Sequence, residues 1–146
     1  MQLTRHTDYA FRVLIYLGLR DGATATVAEI AAFHQLSHAH LNKIVQHLAS
    51  GGFVVAKRGR GGGVLLARAP DEINLAAVTR ALEPGFEVVE CMRDASRCRV
   101  EGPCALQGIL ARAVERFVDE LAQHTLADLL LPTVGLLAPA ALARER

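Results

Sequence analysis

The stretch from Thr26 to Ala67 limits the possible folds more than any other part of the chain. Thr26 with Glu29 three residues later reads as a capping box, in which each side chain satisfies a backbone N–H at a helix start, and it opens a short helix reaching about Phe33. His34-Gln35-Leu36 then turns the chain, and Ser37 stands at the cap of a third helix whose stripe is Leu41, Ile44, Val45 and Leu48. Gly51-Gly52 stops that helix. Two short β-prone runs follow, Phe53–Ala56 and Val64–Ala67. Between them lies Lys57-Arg58-Gly59-Arg60-Gly61-Gly62-Gly63, a glycine-rich tip with three positive charges. Two short helices about a tight turn, followed by a basic hairpin, make a winged helix-turn-helix.

The remainder dresses that unit. Ala10, Val13, Leu14 and Leu17 recur at helical spacing, so a first helix is predicted over Leu3–Leu19, closed by Asp21-Gly22. A short helix is predicted over Asn74–Leu82, with Asn74 as cap and Pro84-Gly85 as stop. After a polar segment, a long helix starts near Pro103-Cys104, with Leu106, Leu110, Ala113, Phe117 and Leu121 along one face. Once the winged unit is built, such a helix is most simply explained by packing against its twin in a homodimer. The predicted class is therefore mainly α, a winged helix-turn-helix with a long C-terminal dimerisation helix. Residues 1–83 form the DNA-binding domain, 84–104 a cysteine loop, 105–130 the dimerisation helix and 131–146 an unassigned tail.

Composition narrows the classes. The chain has 146 residues, 51% of them hydrophobic, enough to bury one core, and no apolar run long enough for a membrane span. The N-terminus lacks a secretory pattern, so a cytoplasmic protein is expected. The net charge of +1 conceals an asymmetry: residues 1–70 hold eight Lys/Arg against three Asp/Glu, and residues 71–146 hold eight against twelve. A basic first half is the footprint of a phosphate-binding surface.

In a helix-turn-helix the start of the third helix meets base edges, which nominates Ser37, His38, His40 and Lys43, with Thr26 at the neighbouring cap. Lys57, Arg58 and Arg60 of the wing can pair with phosphates or enter the minor groove. The plain alternative is a solvated helix face and a solvated hairpin. A nucleotide-binding loop is discounted, because the segment matches neither a P-loop nor a G-x-G-x-x-G opening a helix.

Cys91, Cys98 and Cys104 are the only cysteines, and all fall within fourteen residues. In a reducing compartment clustered thiols point to ligation or redox chemistry rather than a disulfide framework. Their spacing is not that of a zinc ribbon. Wide spacing in a loop lets three thiolates converge on an iron–sulfur cluster, with Arg93, Arg97 and Arg99 offsetting charge. A zinc site completed by a histidine and a thiol switch remain alternatives. No general base or cofactor fingerprint accompanies the cysteines, so an enzyme is not expected.

The runs Thr26-Val27-Ala28-Glu29-Ile30-Ala31, Leu41-Asn42-Lys43-Ile44-Val45-Gln46-His47-Leu48 and Arg58-Gly59-Arg60-Gly61-Gly62-Gly63-Val64-Leu65-Leu66-Ala67 together resemble the winged-helix repressors of the IscR/NsrR family. The opening Leu3-Thr4-Arg5-His6-Thr7-Asp8-Tyr9-Ala10 and the three late cysteines are similar to its nitric-oxide-sensing branch. The resemblance implies a homodimeric repressor on palindromic double-stranded DNA, released by nitric oxide. It also implies one iron–sulfur cluster per subunit, 4Fe–4S in preference to 2Fe–2S, with Cys91, Cys98 and Cys104 as ligands. In that branch an aspartate in the first helix of the other subunit can be the fourth ligand, and Asp8 is the matching residue. In the other branch a histidine three residues after the last cysteine has that part, where this chain carries Gln107. A sensor of iron or cluster supply from the same family is the alternative function. For Asp8 the plain alternative is an i,i+4 pair with Arg12, worth roughly a few tenths of a kcal/mol.

Overall fold

The computed structural model describes residues 2–93, 98–99 and 104–134, the last four of these as helical backbone. Helix α1 (Arg5–Gly18) is capped by Thr4, whose hydroxyl accepts from the Thr7 backbone N–H at 3.3 Å. Its apolar spacing turns Ala10, Val13, Leu14 and Leu17 into the core, and Thr7 is buried with them. Asp21 and Gly22, both at positive φ, turn the chain out of the helix. Helix α2 (Val27–His34) opens on the capping box and ends at Gln35, which sits in the left-handed region at φ 54°. Helix α3 (His38–Ser50) follows at once and buries Leu41, Ile44 and Leu48.

Strands β1 (Val54–Lys57) and β2 (Gly63–Leu66) pair antiparallel, with Val54 opposite Leu66 and Lys57 opposite Gly63. Both lie one residue from their expected bounds, a difference of strand ends only. Ala25, in the α1–α2 connection, bridges the other side of β2: its N–H donates to the Val64 carbonyl at 2.9 Å and its carbonyl accepts from the Val64 N–H at 2.7 Å. The contact requires glycine next door. A Cβ on Gly63, which has φ +156°, would stand 2.6 Å from the Ala25 carbonyl oxygen.

A single helical turn, Pro70–Glu72, leads to helix α4 (Leu75–Leu82), capped by Asn74 as expected: its Oδ1 accepts from Ala77 N–H at 3.1 Å. Helix α5 (Ala105–Ala122) starts where the sequence places it. It does not continue to residue 130. The chain turns at Gln123–Thr125 and a further helix, α6 (Leu126–Val134), folds back onto α1. The cause is local and tertiary together. Thr125 and Asp128 form a further cap, the Asp128 carboxylate accepting from the Thr125 N–H at 2.8 Å and being held below its ordinary pKa chiefly by that bond. The Asn74 amide donates to the Ala122 carbonyl at 2.7 Å, and Leu126 N–H donates to the Ile73 carbonyl at 2.8 Å. Leu130 lies over Gly18, where an added Cβ would be 2.8 Å from its Cδ1 atom.

The stripe expected to meet a twin helix is covered unevenly within the single chain. Leu110, Val114, Phe117 and Leu121 are partly covered and Val118 is buried, while Leu106 and Ile109 are 55% and 53% exposed and Ala113 is exposed too. The core itself is one cluster formed by α1, α2, α3, the hairpin, α4 and Leu126.

Gly63→Ala is expected to cost about 1–3 kcal/mol by pushing the hairpin off Ala25, visible as a lower thermal midpoint with the α-helical signal retained. An unchanged midpoint would mean that the Ala25 bridge does not fix the wing.

Candidate nucleic-acid interface and thiol site

The structure puts Thr26, Ser37, His38, His40, Lys43, Lys57, Arg58 and Arg60 all at the exposed surface. Thr26 caps α2: its hydroxyl accepts from Glu29 N–H at 3.1 Å, and its own N–H donates to the Glu29 carboxylate. That donation is the largest reason the Glu29 carboxyl is held below its ordinary pKa, against a smaller opposing effect of burial. Ser37 occupies the cap of α3, but its hydroxyl makes no cap hydrogen bond. This differs from the capping role read from the sequence, because the left-handed Gln35 and the Leu36 N–H bond to the Ala31 carbonyl already set the turn.

On the exposed face of α3, the Asn42 amide and the His38 imidazole share a hydrogen bond of 3.1 Å. His40 packs edge-on against Tyr9 with ring centroids 5.5 Å apart, so it is partly tied to α1 rather than wholly free to reach outward. At the wing, Gly59 and Gly61 take positive φ, and the Thr24 hydroxyl donates to the Gly61 carbonyl at 2.8 Å. The tip is thereby pinned to the α1–α2 connection. Among the described residues, Lys43, Lys57, Arg58 and Arg60 are in no ion pair, leaving their charge available to phosphate.

Contacts between α1 and α3 are the part that sequence reading missed. His6 Nε2 and His47 Nδ1 lie 2.9 Å apart in a hydrogen bond, and His40 stacks beyond at 6.4 Å between ring centroids. Burial, then the neighbouring His47 and His40, hold His6 below its ordinary pKa, with Glu83 opposing. The only available signal was that five of six histidines fall in the first half. Glu83, at the end of α4, accepts from both the Thr4 N–H at 2.9 Å and the Thr4 hydroxyl at 3.0 Å. The root of the cysteine segment is thus fastened to the cap of α1.

Asp8 stands in the first turn of α1, 46% exposed, and faces Arg12, whose Nη2 is 2.8 Å from Oδ2 and whose Nε is 3.3 Å from Oδ1. The Arg12 carbonyl in turn shares a hydrogen bond of 3.2 Å with His34 Nε2. Burial is the main reason the His34 pKa is lowered, with that bond opposing. Cys91 lies half-buried in a single helical turn, Glu90–Met92, and Cys104 is the half-buried cap residue of α5. Cys98 is exposed. Arg93 and Arg99 are exposed beside the thiols, whereas Arg97 lies outside the described residues. Among the described residues no trio of His, Cys, Asp or Glu side chains is gathered about one point. The donor set nonetheless suits an iron–sulfur cluster. Three soft sulfur donors sit on one short stretch, two of them at its anchored ends.

No helix among the described residues is long and apolar enough to cross a membrane. Two helices about a tight turn, followed by a basic hairpin pinned to the α1–α2 connection, have the winged-helix form of transcriptional regulators. The comparisons place it further. The Rrf2 family, described as iron-dependent transcriptional regulators, matches residues 3–132, and the chain belongs to that family. It is 39% identical over 132 residues to the HTH-type transcriptional regulator NsrR of Halalkalibacterium halodurans, covering 89% of this chain and 90% of that protein. To the NsrR of Geobacillus kaustophilus it is 42% identical over 132 residues, with 89% and 90% covered. The solved structure of T. potens IscR shares the fold, with a TM-score of 0.74 at 23% identity over 94% of this chain and 93% of that one.

Glu29→Gln is expected to lower stability at neutral pH. A carboxyl whose pKa falls on folding contributes above its unfolded pKa and loses that contribution as pH drops through the folded value. The gap between variant and parent should therefore close on acidification below the ordinary glutamate range, measured by denaturant unfolding across pH; a pH-independent gap would contradict the capping assignment.

Proposed function

We propose that this chain is a nitric-oxide-responsive repressor, acting as a homodimer on a palindromic operator. The observation that carries the reading is the pairing, in one chain, of an exposed third helix and basic wing with three thiols on the stretch that leads into α5. Identity of 39–42% to regulators named NsrR over nine-tenths of their length supports it.

Cys91, Cys98 and Cys104 hold an iron–sulfur cluster, 4Fe–4S in preference to 2Fe–2S, and the partner's α1 brings its aspartate to complete the site. When bound, the cluster supplies iron that reacts with nitric oxide. Asp8 has two competing partners in this scheme. In one state it reaches across the dimer. In the other it closes on Arg12 within its own helix, the geometry of the isolated chain. A carboxylate is a hard donor among soft thiolates, so the crossing bond is the weaker of the set. Loss of that bond would free α1, and α1 would carry α3 with it through the His6–His47 contact and the shared core. The exposed Leu106–Ile109–Ala113 stripe of α5 is the proposed dimer surface, and a palindromic operator requires the two recognition helices to meet successive major grooves.

The description of the family as iron-dependent favours a second reading, a sensor of iron or cluster supply. In gel-shift titrations of the cluster-loaded dimer, nitric oxide is expected to weaken operator binding by roughly 5–150-fold, the span of a typical allosteric coupling. Unchanged binding would remove the sensing reading, and release on iron depletion alone would establish the second. Alanine at Lys57, Arg58 or Arg60 is expected to weaken binding for all sequences alike and to reduce the salt slope by about 1 for each phosphate contact removed. An unchanged slope would place the wing off the DNA.

A further inference from the structure

A hydrogen bond outside the sulfur chemistry ties the cysteine segment to α5. The Gln107 side-chain amide donates from Nε2 to the main-chain carbonyl of Cys91 at 2.7 Å, across sixteen residues and in a partly buried setting. Gln107 sits three residues beyond Cys104, the cap residue of α5, hence about 4.5 Å along the helix axis at the usual rise. Cys91 is itself locked in a tight turn, with Met92 N–H donating to the Val89 carbonyl at 3.1 Å and Arg93 N–H to the Glu90 carbonyl at 3.0 Å. One amide therefore sets the first cysteine beside the helix turn that starts with the last.

We infer that Gln107 is a positioning residue for the thiol site: it gathers Cys91 and Cys104 at the start of α5 before any cofactor is present. The inference rests on the reading that these thiols hold a cluster. The amide nitrogen shares its lone pair with the side-chain carbonyl, so at Nε2 Gln107 acts as a hydrogen-bond donor that positions a ligand and not as a ligand itself. Closing the segment in advance removes part of the chain entropy that cofactor binding would otherwise have to overcome. The role needs an N–H donor at this position. Glutamate keeps the shape but presents only acceptors to the Cys91 carbonyl, and methionine keeps the length but has no donor.

The test compares the full-length chain with Gln107→Met and Gln107→Glu. In cluster-free protein, alkylation of Cys91 by iodoacetamide, followed by peptide mass spectrometry, is expected to speed up roughly three- to tenfold, the fold-change of about one hydrogen bond. Exposed Cys98 serves as the internal reference and keeps its rate, and the thermal midpoint stays that of the parent. After anaerobic reconstitution, iron release to a chelator is expected to accelerate by a similar factor. Parent-like Cys91 reactivity in both variants would overturn the inference, as would faster alkylation with unchanged iron release. A parent chain that takes up no iron and sulfide would refute the cluster reading instead, and the alkylation rates would still decide what Gln107 does.

Discussion

The buried stripe of α1 is touched by α2, α3, α4, α6 and β2, and its Ala10, Val13 and Leu14 are fully shielded from water. Each large side chain buried this way contributes about 1.5–3 kcal/mol, so α1 cannot shift alone. Any displacement is shared with the recognition helix, whose Leu41, Ile44 and Leu48 lie in the same cluster. The other face of α1 is polar and carries Asp8 and Arg12. One helix thus has a packed side that governs α3 and an open side that holds a carboxylate.

The surface around this core divides the remaining tasks. The wing is stiffened from behind by Ala25 and Thr24, so its three cations are presented on a fixed hairpin rather than a loose loop. The thiol segment is fastened at its root by Glu83 to Thr4 and at its far side by Gln107 to Cys91. Both fastenings use hydrogen bonds of partly buried groups.

Much of this was legible in the sequence, for physical reasons that differ by element. Helices α1, α2, α3 and α4 could be read because apolar spacing and cap residues agree at each, Thr26 with Glu29 being the clearest case. The wing could be read because glycines and cations interrupt two β-prone runs. Helix α6 escaped, although Thr125 and Asp128 carry the same cap pattern as Thr26 and Glu29, because Pro132 and a leucine run obscure the period. Which side of α5 faces inward depends on Val118 meeting the domain, and no periodicity encodes that. The cysteines announced the thiol site, and the resemblance singled out Asp8. The ties that place them, Glu83 to Thr4 across 79 residues and Gln107 to Cys91 across sixteen, are long-range bonds between polar groups with no local signature.

In the proposed dimer the geometry of the two reading heads is set by the cofactor that joins the subunits. A ketone-bearing residue at the exposed Ala56 position of each wing, spin-labelled without touching the cysteines, allows the wing-to-wing distance to be measured by pulsed electron resonance. The account predicts one narrow distance in the cluster-loaded dimer and a broadened or displaced distribution after nitric oxide. The same narrow distribution before and after treatment would contradict it.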